Sequence, residues 1–236
     1  MKEDMNTQKE ESLLYEKLAK RTVENLNRRG INARYTATKE EALAAVMDMI
    51  PGGVTVGTAD SVTLLQMGVI SALRKRGENE IINPHIRDEE GNFVFKEEER
   101  DNLKRKVFFS DVYVIGTNAV TLDGKLINTD GAGNRVAAMI FGPKKVVVIV
   151  GANKIVKDME AGIRRIREVA APQNAIRHGI KHHSDELLEL PCAKTGVCTD
   201  CNHPRRICRY TTVIEGVGAR QQGRINVILV GEKLGI

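Results

Sequence analysis

The feature that most constrains the fold is a run of five β-branched residues at positions 146–150, which reads VVVIV. A strand that is apolar at every position has no polar face to expose to solvent, and such strands belong to parallel sheets covered on both faces. A further apolar run at 225–230 predicts a last strand. Both runs are much shorter than the roughly 20 apolar residues that cross a bilayer, so we expect no membrane-spanning segment.

The first part of the chain alternates between helical and extended patterns. Apolar residues recur at helical spacing from Leu14 to Leu26, and Gly30 then ends the helix. Thr38 and Glu41 form a capping box before a second helix. The expected elements are a helix at 14–26, a strand at 31–35, a helix at 42–50, a strand at 54–57 and a helix at 61–73. This alternation predicts an α/β fold with an open, mainly parallel, twisted sheet and helices on both faces.

The remaining segments complete a single expected domain over residues 1–236. Residues 74–106 are rich in charge and turn-forming residues, which predicts a surface insertion with a short helix near 97–106. Asp123 and Gly124 are the turn pair most typical of a tight hairpin. We expect a strand at 111–116, the hairpin strands at 119–122 and 126–128, a helix at 134–140, a basic helix from 158 that Pro172 ends, and an irregular, cysteine-containing segment at 174–210.

Composition narrows the classes of function. Of the 236 residues, 42% are hydrophobic and 28% charged, which is the balance of a soluble globular protein. The net charge of +5 favours anionic ligands. The chain lacks tryptophan and has 4% aromatic residues, so we do not expect it to bind nucleic acid by stacking bases. Residues 1–11 lack the apolar stretch of a secretory signal, and we expect a cytoplasmic protein.

Polar segments follow three of the expected strands, at 58–61, 117–118 and 151–154. In open α/β sheets, ligands bind outside the carboxyl ends of the strands, so these segments are expected to meet in one crevice. The turn that leads into the helix at 134–140 adds further polar side chains. The residues expected to bind a small anionic ligand are Thr58, Ser61, Asn118, Asn128, Asn134, Arg135, Asn153 and Lys154.

Simpler interpretations of these residues remain open. Ser61 or Asp60 is also suited to cap the following helix, and a lysine in the position of Lys154 is more often simply solvated. Gly131 and Gly133 resemble a dinucleotide-binding fingerprint, but a valine occupies the third glycine position and a hairpin precedes them, so we reject that interpretation.

Two carboxylates are candidates for catalysis. The sequence leaves open whether the protein is an enzyme. If it is, we expect the general base to be Asp60 or Asp130, because either would lie partly desolvated beside Lys154 or Arg135.

The four cysteines, Cys192, Cys198, Cys201 and Cys208, lie within 17 positions of one another. Two of them are separated by two residues, a spacing found in metal sites and in redox pairs. We predict a metal site at these four cysteines, for zinc or an iron-sulfur cluster. Packed thiols and reversible disulfide chemistry are the alternatives.

The centre of the chain carries four short motifs, which are Thr117 to Val120, Asp123-Gly124, Asp130-Gly131 and Gly133 to Ala137. These motifs resemble those of the lactate-utilisation (LUD) domain family. The resemblance implies a fold similar to that of ribose-5-phosphate isomerase A, glucosamine-6-phosphate deaminase and the CoA transferases. It also implies a place in organic-acid metabolism, in which some members work beside iron-sulfur subunits that oxidise lactate. The matching residues are Thr117 to Val120, Asp123, Gly124, Leu126, Asn128, Asp130, Gly131, Gly133 to Ala137, Gly142 to Lys145, Gly151, Asn153, Lys154, Ala171, Pro172, Asn174, Ala175, Gly223 to Ile225, Gly231 and Glu232.

Two functional hypotheses follow. The first is a protein of lactate-like organic-acid metabolism that binds a small anionic metabolite in the strand-end crevice. The second is a non-catalytic redox or assembly subunit whose cysteine segment binds a metal or a partner. Iron-sulfur oxidoreductase subunits are the expected partners, and we expect a homo-oligomer.

Overall fold

The structure is a computed structural model that describes residues 7–236. The expectation about a secretory signal rested on residues 1–11, of which 1–6 lie outside the described residues. The helices are α1 (Gln8–Arg28), α2 (Lys39–Met49), α3 (Val62–Met67), α4 (Val69–Arg76), α5 (Glu97–Lys106), α6 (Asn134–Ile140), α7 (Met159–Arg165), α8 (Ala171–Lys181), α9 (Asp185–Leu188) and α10 (Pro191–Thr195). The strands are β1 (Asn32–Thr36), β2 (Thr55–Thr58), β3 (Glu80–Ile82), β4 (Val112–Gly116), β5 (Ala119–Thr121), β6 (Leu126–Asp130), β7 (Lys145–Gly151), β8 (Ile155–Val156), β9 (Tyr210–Ile214) and β10 (Ile225–Val230).

Six strands form an open parallel sheet in the order β1-β10-β7-β4-β2-β3. Each neighbouring pair in this sheet is parallel, and the two most apolar strands, β7 and β10, lie side by side in it. The carboxyl ends of all six strands therefore lie at the same edge. The expected open, mainly parallel sheet is confirmed.

Both faces of this sheet are covered, as the VVVIV run predicted. On one face, α2, α3 and α4 pack against alternate residues of β7 such as Val147 and Ile149. On the other face, Val146 and Val148 pack against α1 and α6. The same apolar cluster includes Leu126 of the hairpin, so the hairpin belongs to the layer that covers this second face.

The hairpin belongs to a second sheet, in the order β8-β5-β6-β9. Antiparallel pairing of β5 with β6 confirms the hairpin across Asp123 and Gly124. The flanking strands β8 and β9 were not expected. They have two and five residues, and β9 is polar over much of its length, so neither has an apolar pattern that a sequence reveals.

A small set of contacts docks the hairpin on α1. The amide of Asn25 donates to the carbonyl of Leu122 at 2.7 Å, and Arg29 donates to the Asp123 carbonyl and carboxylate. Gly124 adopts φ +87° directly against the backbone of α1. This contact fixes the hairpin whose strand β6 ends at Asp130.

Residues 74–106, which were expected to form a surface insertion, contribute to the sheet. Residues 74–76 complete α4, and β3 adds an edge strand parallel to β2. A three-residue strand is too short to show alternation in the sequence. The helix expected near 97–106 is present as α5, and the one expected at 61–73 is interrupted by Gly68, whose φ is +68°.

The expectation that Pro172 ends a helix is wrong. The helical rod continues from α7 through a π-helical turn at residues 166–170 into α8, where Pro172 occupies the first turn. The π-helical turn directly before Pro172 accommodates it, because the regular hydrogen-bond spacing is interrupted there and the Ala171 N–H donates to the Ile166 carbonyl, five residues earlier. The expected irregular segment at 174–210 therefore begins with most of α8 and includes α9 and α10. Among the described residues, no helix is both long and apolar enough to span a bilayer.

Replacing Gly124 with alanine should destabilise the protein by more than backbone strain alone. The positive φ costs an alanine roughly 1–3 kcal/mol. In addition, the new Cβ would lie 2.6 Å from the carbonyl carbon of Asn25. Gly53→Ala is the matched control, because Gly53 has φ +79° but no described atom within 4 Å of an added Cβ. In urea denaturation, Gly124→Ala should lower the free energy of unfolding more than Gly53→Ala does. Equal decreases in the two variants would contradict the proposed role of this contact.

Candidate functional site

A cavity of about 1010 Å³ lies at the carboxyl edge of the main sheet. Its walls include the segments that follow β2, β4 and β7, together with the turn after β6. The sequence-predicted residues that line it are Thr58, Asp60, Ser61, Asn118, Asp130, Asn134, Arg135 and Lys154. Segments far apart in the chain thus meet around one space.

Two predicted ligand-binding residues, Asn128 and Asn153, support the cavity from outside its lining. Asn128 is buried, donates to the Thr117 hydroxyl at 2.9 Å and accepts from Arg135 at 3.2 Å. Asn153 accepts from the backbone N–H of Leu234 at 3.1 Å. Both side chains form hydrogen bonds within the protein. We therefore assign them a role in positioning other residues of the cavity and not in contacting a ligand.

Arg135 brings a fixed positive charge to the cavity wall. Its guanidinium donates to the side-chain oxygens of Asn128 and Asn118, at 3.2 and 3.3 Å, and to the carbonyl of Thr129. All of these acceptors are neutral, so the arginine charge is held in place without being neutralised.

Lys154 is the most unusual residue of the cavity. It is only 4% exposed, and its Nζ donates to the Thr63 hydroxyl at 3.0 Å. Among the described residues, no side-chain carboxylate forms an ion pair with it. Burial, followed by the charges of Arg165 and Arg135, lowers the pKa of Lys154 to about 7. The simpler interpretation of Lys154 as a solvated lysine is therefore wrong.

Asp60 is held in a buried ion-pair cluster. Its carboxylate lies 2.8 Å from Arg177 and 3.1 Å from Lys181, and its side chain is 12% exposed. Burial raises the pKa of Asp60, but the hydrogen bond and charge of Arg177, with the charge of Lys181, outweigh it and hold the pKa well below the usual range. A carboxylate with so little affinity for a proton is a weak general base.

Asp130 caps a helix. One carboxylate oxygen accepts from the backbone N–H groups of Arg135 and Val136 at 2.8 and 3.3 Å, and the other accepts from Ala132 at 3.2 Å. Ser61 caps α3 by accepting from Leu64. The capping interpretation of Ser61 thus has structural support, and the charge of Asp130 is met by the amides of α6.

Thr58 offers the cavity an unused polar atom. This residue ends β2 and is 1% exposed, yet its hydroxyl has no hydrogen-bond partner among the described residues. A buried hydroxyl normally has a partner, so an unsatisfied one in a cavity wall points to a ligand atom.

A group of aromatic and basic residues at the cavity was not identified from the sequence. His182 stacks between Phe93 and His178, with ring centroids 5.0 and 5.1 Å apart, and Arg87 contacts it. Burial lowers the pKa of His178 and His182 to about 4, so both are neutral near pH 7. The i, i+4 spacing of these histidines on α8 was the available signal, but that segment was expected to be irregular.

The four cysteines lie near one another without forming the predicted metal centre. Burial and then the neighbouring thiols Cys208, Cys201 and Cys198 raise the pKa of Cys192. However, the described residues contain no group of three or more His, Cys, Asp or Glu side chains arranged to hold a metal ion. Cys192 packs beside α8 and α9, whereas Cys208 accepts a hydrogen bond from Arg206 at 3.2 Å. The arrangement does not fit zinc or an iron-sulfur cluster.

Comparison with known proteins places this geometry in context. A protein-family model described as LUD domain matches residues 19–230. The fold is similar to the crystal structure of a DUF162 family protein from Deinococcus radiodurans, with 13% identity, a TM-score of 0.50, and coverage of 92% of this chain and 98% of that chain. The delta subunit of eIF2B from Chaetomium thermophilum aligns with 18% identity and a TM-score of 0.35 over 53% of this chain and 50% of that chain. No curated protein matches this chain.

Lys154→Met should stabilise the protein, and the gain should depend on pH. The folded protein loses the Lys154 proton near pH 7, whereas an unfolded lysine keeps it to about pH 10.4. Between these two pH values the unfolded state binds more protons than the folded state, so Lys154 makes the free energy of unfolding rise with pH. The destabilisation caused by its buried charge is therefore greatest below pH 7. Urea denaturation should give the variant an advantage of roughly 2–4 kcal/mol near pH 6 that shrinks toward pH 10. A difference that is constant with pH would contradict the buried, unpaired state of Lys154.

Proposed function

We propose that this chain, which belongs to the LUD domain family, binds a small organic acid in the strand-end cavity as part of lactate-like metabolism. Family membership supports a function related to lactate utilisation at the level of the family. The ligand and its place of binding are our proposal.

The observation that carries the proposal is the buried amino group of Lys154, which lines the cavity and has no side-chain carboxylate partner within residues 7–236. Burying an unpaired charge is costly, and a bound anion supplies the missing counter-charge. Arg135 adds a second positive charge to the same cavity.

The two carboxylates that were expected to act in catalysis do not cancel this positive charge. Asp60 is already paired with Arg177 and Lys181, and Asp130 is bound to the amides at the start of α6. The potential near Lys154 and Arg135 therefore favours an anion.

Neutral groups in the cavity suit the rest of an organic acid. The free hydroxyl of Thr58 and the carboxamide of Asn134 line the same space and can hydrogen-bond to a hydroxyl or a carboxylate oxygen. A volume of about 1010 Å³ is at the upper end for small-molecule sites, which span roughly 300–1000 Å³. A molecule of the size of lactate would fill only the part of the cavity around Lys154.

The proximity of the four thiols favours a second candidate function, that of a redox or assembly subunit. Cys208 and Arg206 also line the cavity, so a partner docked on the cysteine segment would lie beside it. Iron-sulfur oxidoreductase subunits or further copies of this chain are the proposed partners. Because the described geometry does not fit a metal, this candidate depends on docking or on disulfide formation.

Elemental analysis of protein purified without oxygen tests whether the cysteine segment holds a metal. We expect less than one iron or zinc per chain, because the cysteines are not arranged to hold a metal ion. Stoichiometric metal would support the second candidate. Metal-free protein that binds an organic acid would support the first.

Calorimetry should show that L-lactate binds and that lactamide, its uncharged analogue, does not. The affinity for lactate should fall as the pH rises through about 7, because Lys154 loses its proton there. Lys154→Met should weaken binding roughly tenfold or more, the loss of about one charged hydrogen bond, and should remove this pH dependence.

Lys145→Met is the matched control for this measurement. Lys145 begins β7, at the end of the strand opposite to Lys154, and does not line the cavity. Its substitution should leave lactate affinity and pH dependence unchanged. Equal losses in the two variants, or equal binding of lactamide, would contradict the proposed site.

A further inference from the structure

We propose that the amino group of Lys154 forms a Schiff base with the carbonyl carbon of a small 2-oxo acid bound in the cavity. This inference rests on the proposed function, because it places the anionic ligand beside Lys154. It goes further by naming a covalent step, a nucleophile and a class of substrate. Sequence reasoning had assigned reactivity to Asp60 and Asp130 instead.

The geometry supplies an amine that is positioned and not held in an ion pair with a side-chain carboxylate of the described residues. Lys154 ends the short 3-10 turn that follows β7, so its backbone is fixed to the central strand of the sheet. Its Nζ has one described hydrogen-bond partner, the Thr63 hydroxyl at 3.0 Å, and it lines the cavity. A carbonyl group in the cavity can therefore approach the nitrogen without breaking an ion pair.

The surroundings also keep much of the amine neutral, and only a neutral amine is nucleophilic. The charged groups that face Lys154 are Arg135 from α6 and Arg165 from α7, while α3 contributes the neutral Thr63. Burial and these two charges lower the pKa of Lys154 to about 7, so a substantial fraction of the amine is neutral near that pH.

The step balances without a cofactor. The nitrogen lone pair of Lys154 attacks the carbonyl carbon, a C–N bond forms, and a proton moves from nitrogen to oxygen to give a carbinolamine. The hydroxyl group then takes one proton from solvent and leaves as water, while the nitrogen lone pair forms the C=N bond. The product is a protonated Schiff base, and no group is oxidised or reduced.

The charge of this product selects the substrate class. A protonated Schiff base is a cation, and Arg135 and Arg165 oppose a cation at this position. A carboxylate on the neighbouring carbon offsets that repulsion, whereas a simple aldehyde or ketone brings no negative charge. The site therefore favours a 2-oxo acid over an uncharged carbonyl compound.

Reductive trapping with pyruvate tests the inference. The protein is incubated with pyruvate and sodium cyanoborohydride, and the modified residue is located by peptide mass mapping. We expect one adduct per chain, on Lys154, which forms faster as the pH rises from about 6 to about 8 because more of the amine is neutral. Propanal should label this site much more slowly than pyruvate.

Two variants make the test specific. Lys154→Arg keeps the positive charge but lacks a nucleophilic amine, so the adduct should be lost. Lys145→Arg, at the other end of β7, should be labelled like the original protein. Labelling spread over surface lysines, or labelling of Lys154→Arg equal to that of Lys145→Arg, would overturn the inference.

Lactate separates failure of this inference from failure of the proposed function. Lactate has no carbonyl carbon to attack, so it can bind but cannot be trapped, and it should protect Lys154 from pyruvate. If lactate binds and no pyruvate adduct forms, the Schiff base is wrong and the anion site stands. If pyruvate is trapped on Lys154 although lactate does not bind, the Schiff base is supported and the proposed binding of a lactate-like ligand is contradicted.

Discussion

Parallel pairing of β7 with both of its neighbours is the constraint on which the rest of the structure depends. Hydrogen bonds to β10 on one side and β4 on the other leave this strand without an exposed edge. Because the pairing is parallel, the strands that it joins all end at the same edge of the sheet. Thr58, Asn118 and Lys154 are distant in the chain but line one cavity for this reason.

Sequence reasoning succeeded where a local pattern determines the structure. The apolar runs of β7 and β10 and the Asp123-Gly124 turn specify strands and a hairpin by themselves. Strands β3, β8 and β9 are short or polar and form because a neighbouring strand offers its edge, which no local pattern records. Pro172 was misjudged because a π-helical turn accommodates it. The convergence of the site residues could be predicted, because the carboxyl ends of parallel strands lie at one edge of the sheet. The burial of Lys154 could not be predicted, since lysine is usually exposed and only the packed structure reveals the exception.

Charged residues of the cavity differ in whether other groups of the protein offset their charge. Asp60 and Asp130 are bound within the protein, one by Arg177 and Lys181 and the other by backbone amides. Arg135 is oriented by neutral oxygens, and Lys154 meets only a hydroxyl. The charges of these two carboxylates are thus satisfied within the protein, while those of Arg135 and Lys154 are left for a ligand. The same imbalance underlies both the proposed affinity for organic acids and the proposed reactivity of Lys154.

The π-helical turn before α8 determines which side chains of α8 face the cavity. Arg177 and Lys181 of α8 meet Asp60, and His178 of α8 stacks with His182, which directly follows the helix. Each residue of a helix advances it by about 100°. Loss of one residue from the turn at 166–170 would rotate this whole face away from the cavity, so insertions and deletions there act on four side chains at once. The number of residues in this turn is thus a structural constraint in its own right, in addition to the packing of its side chains.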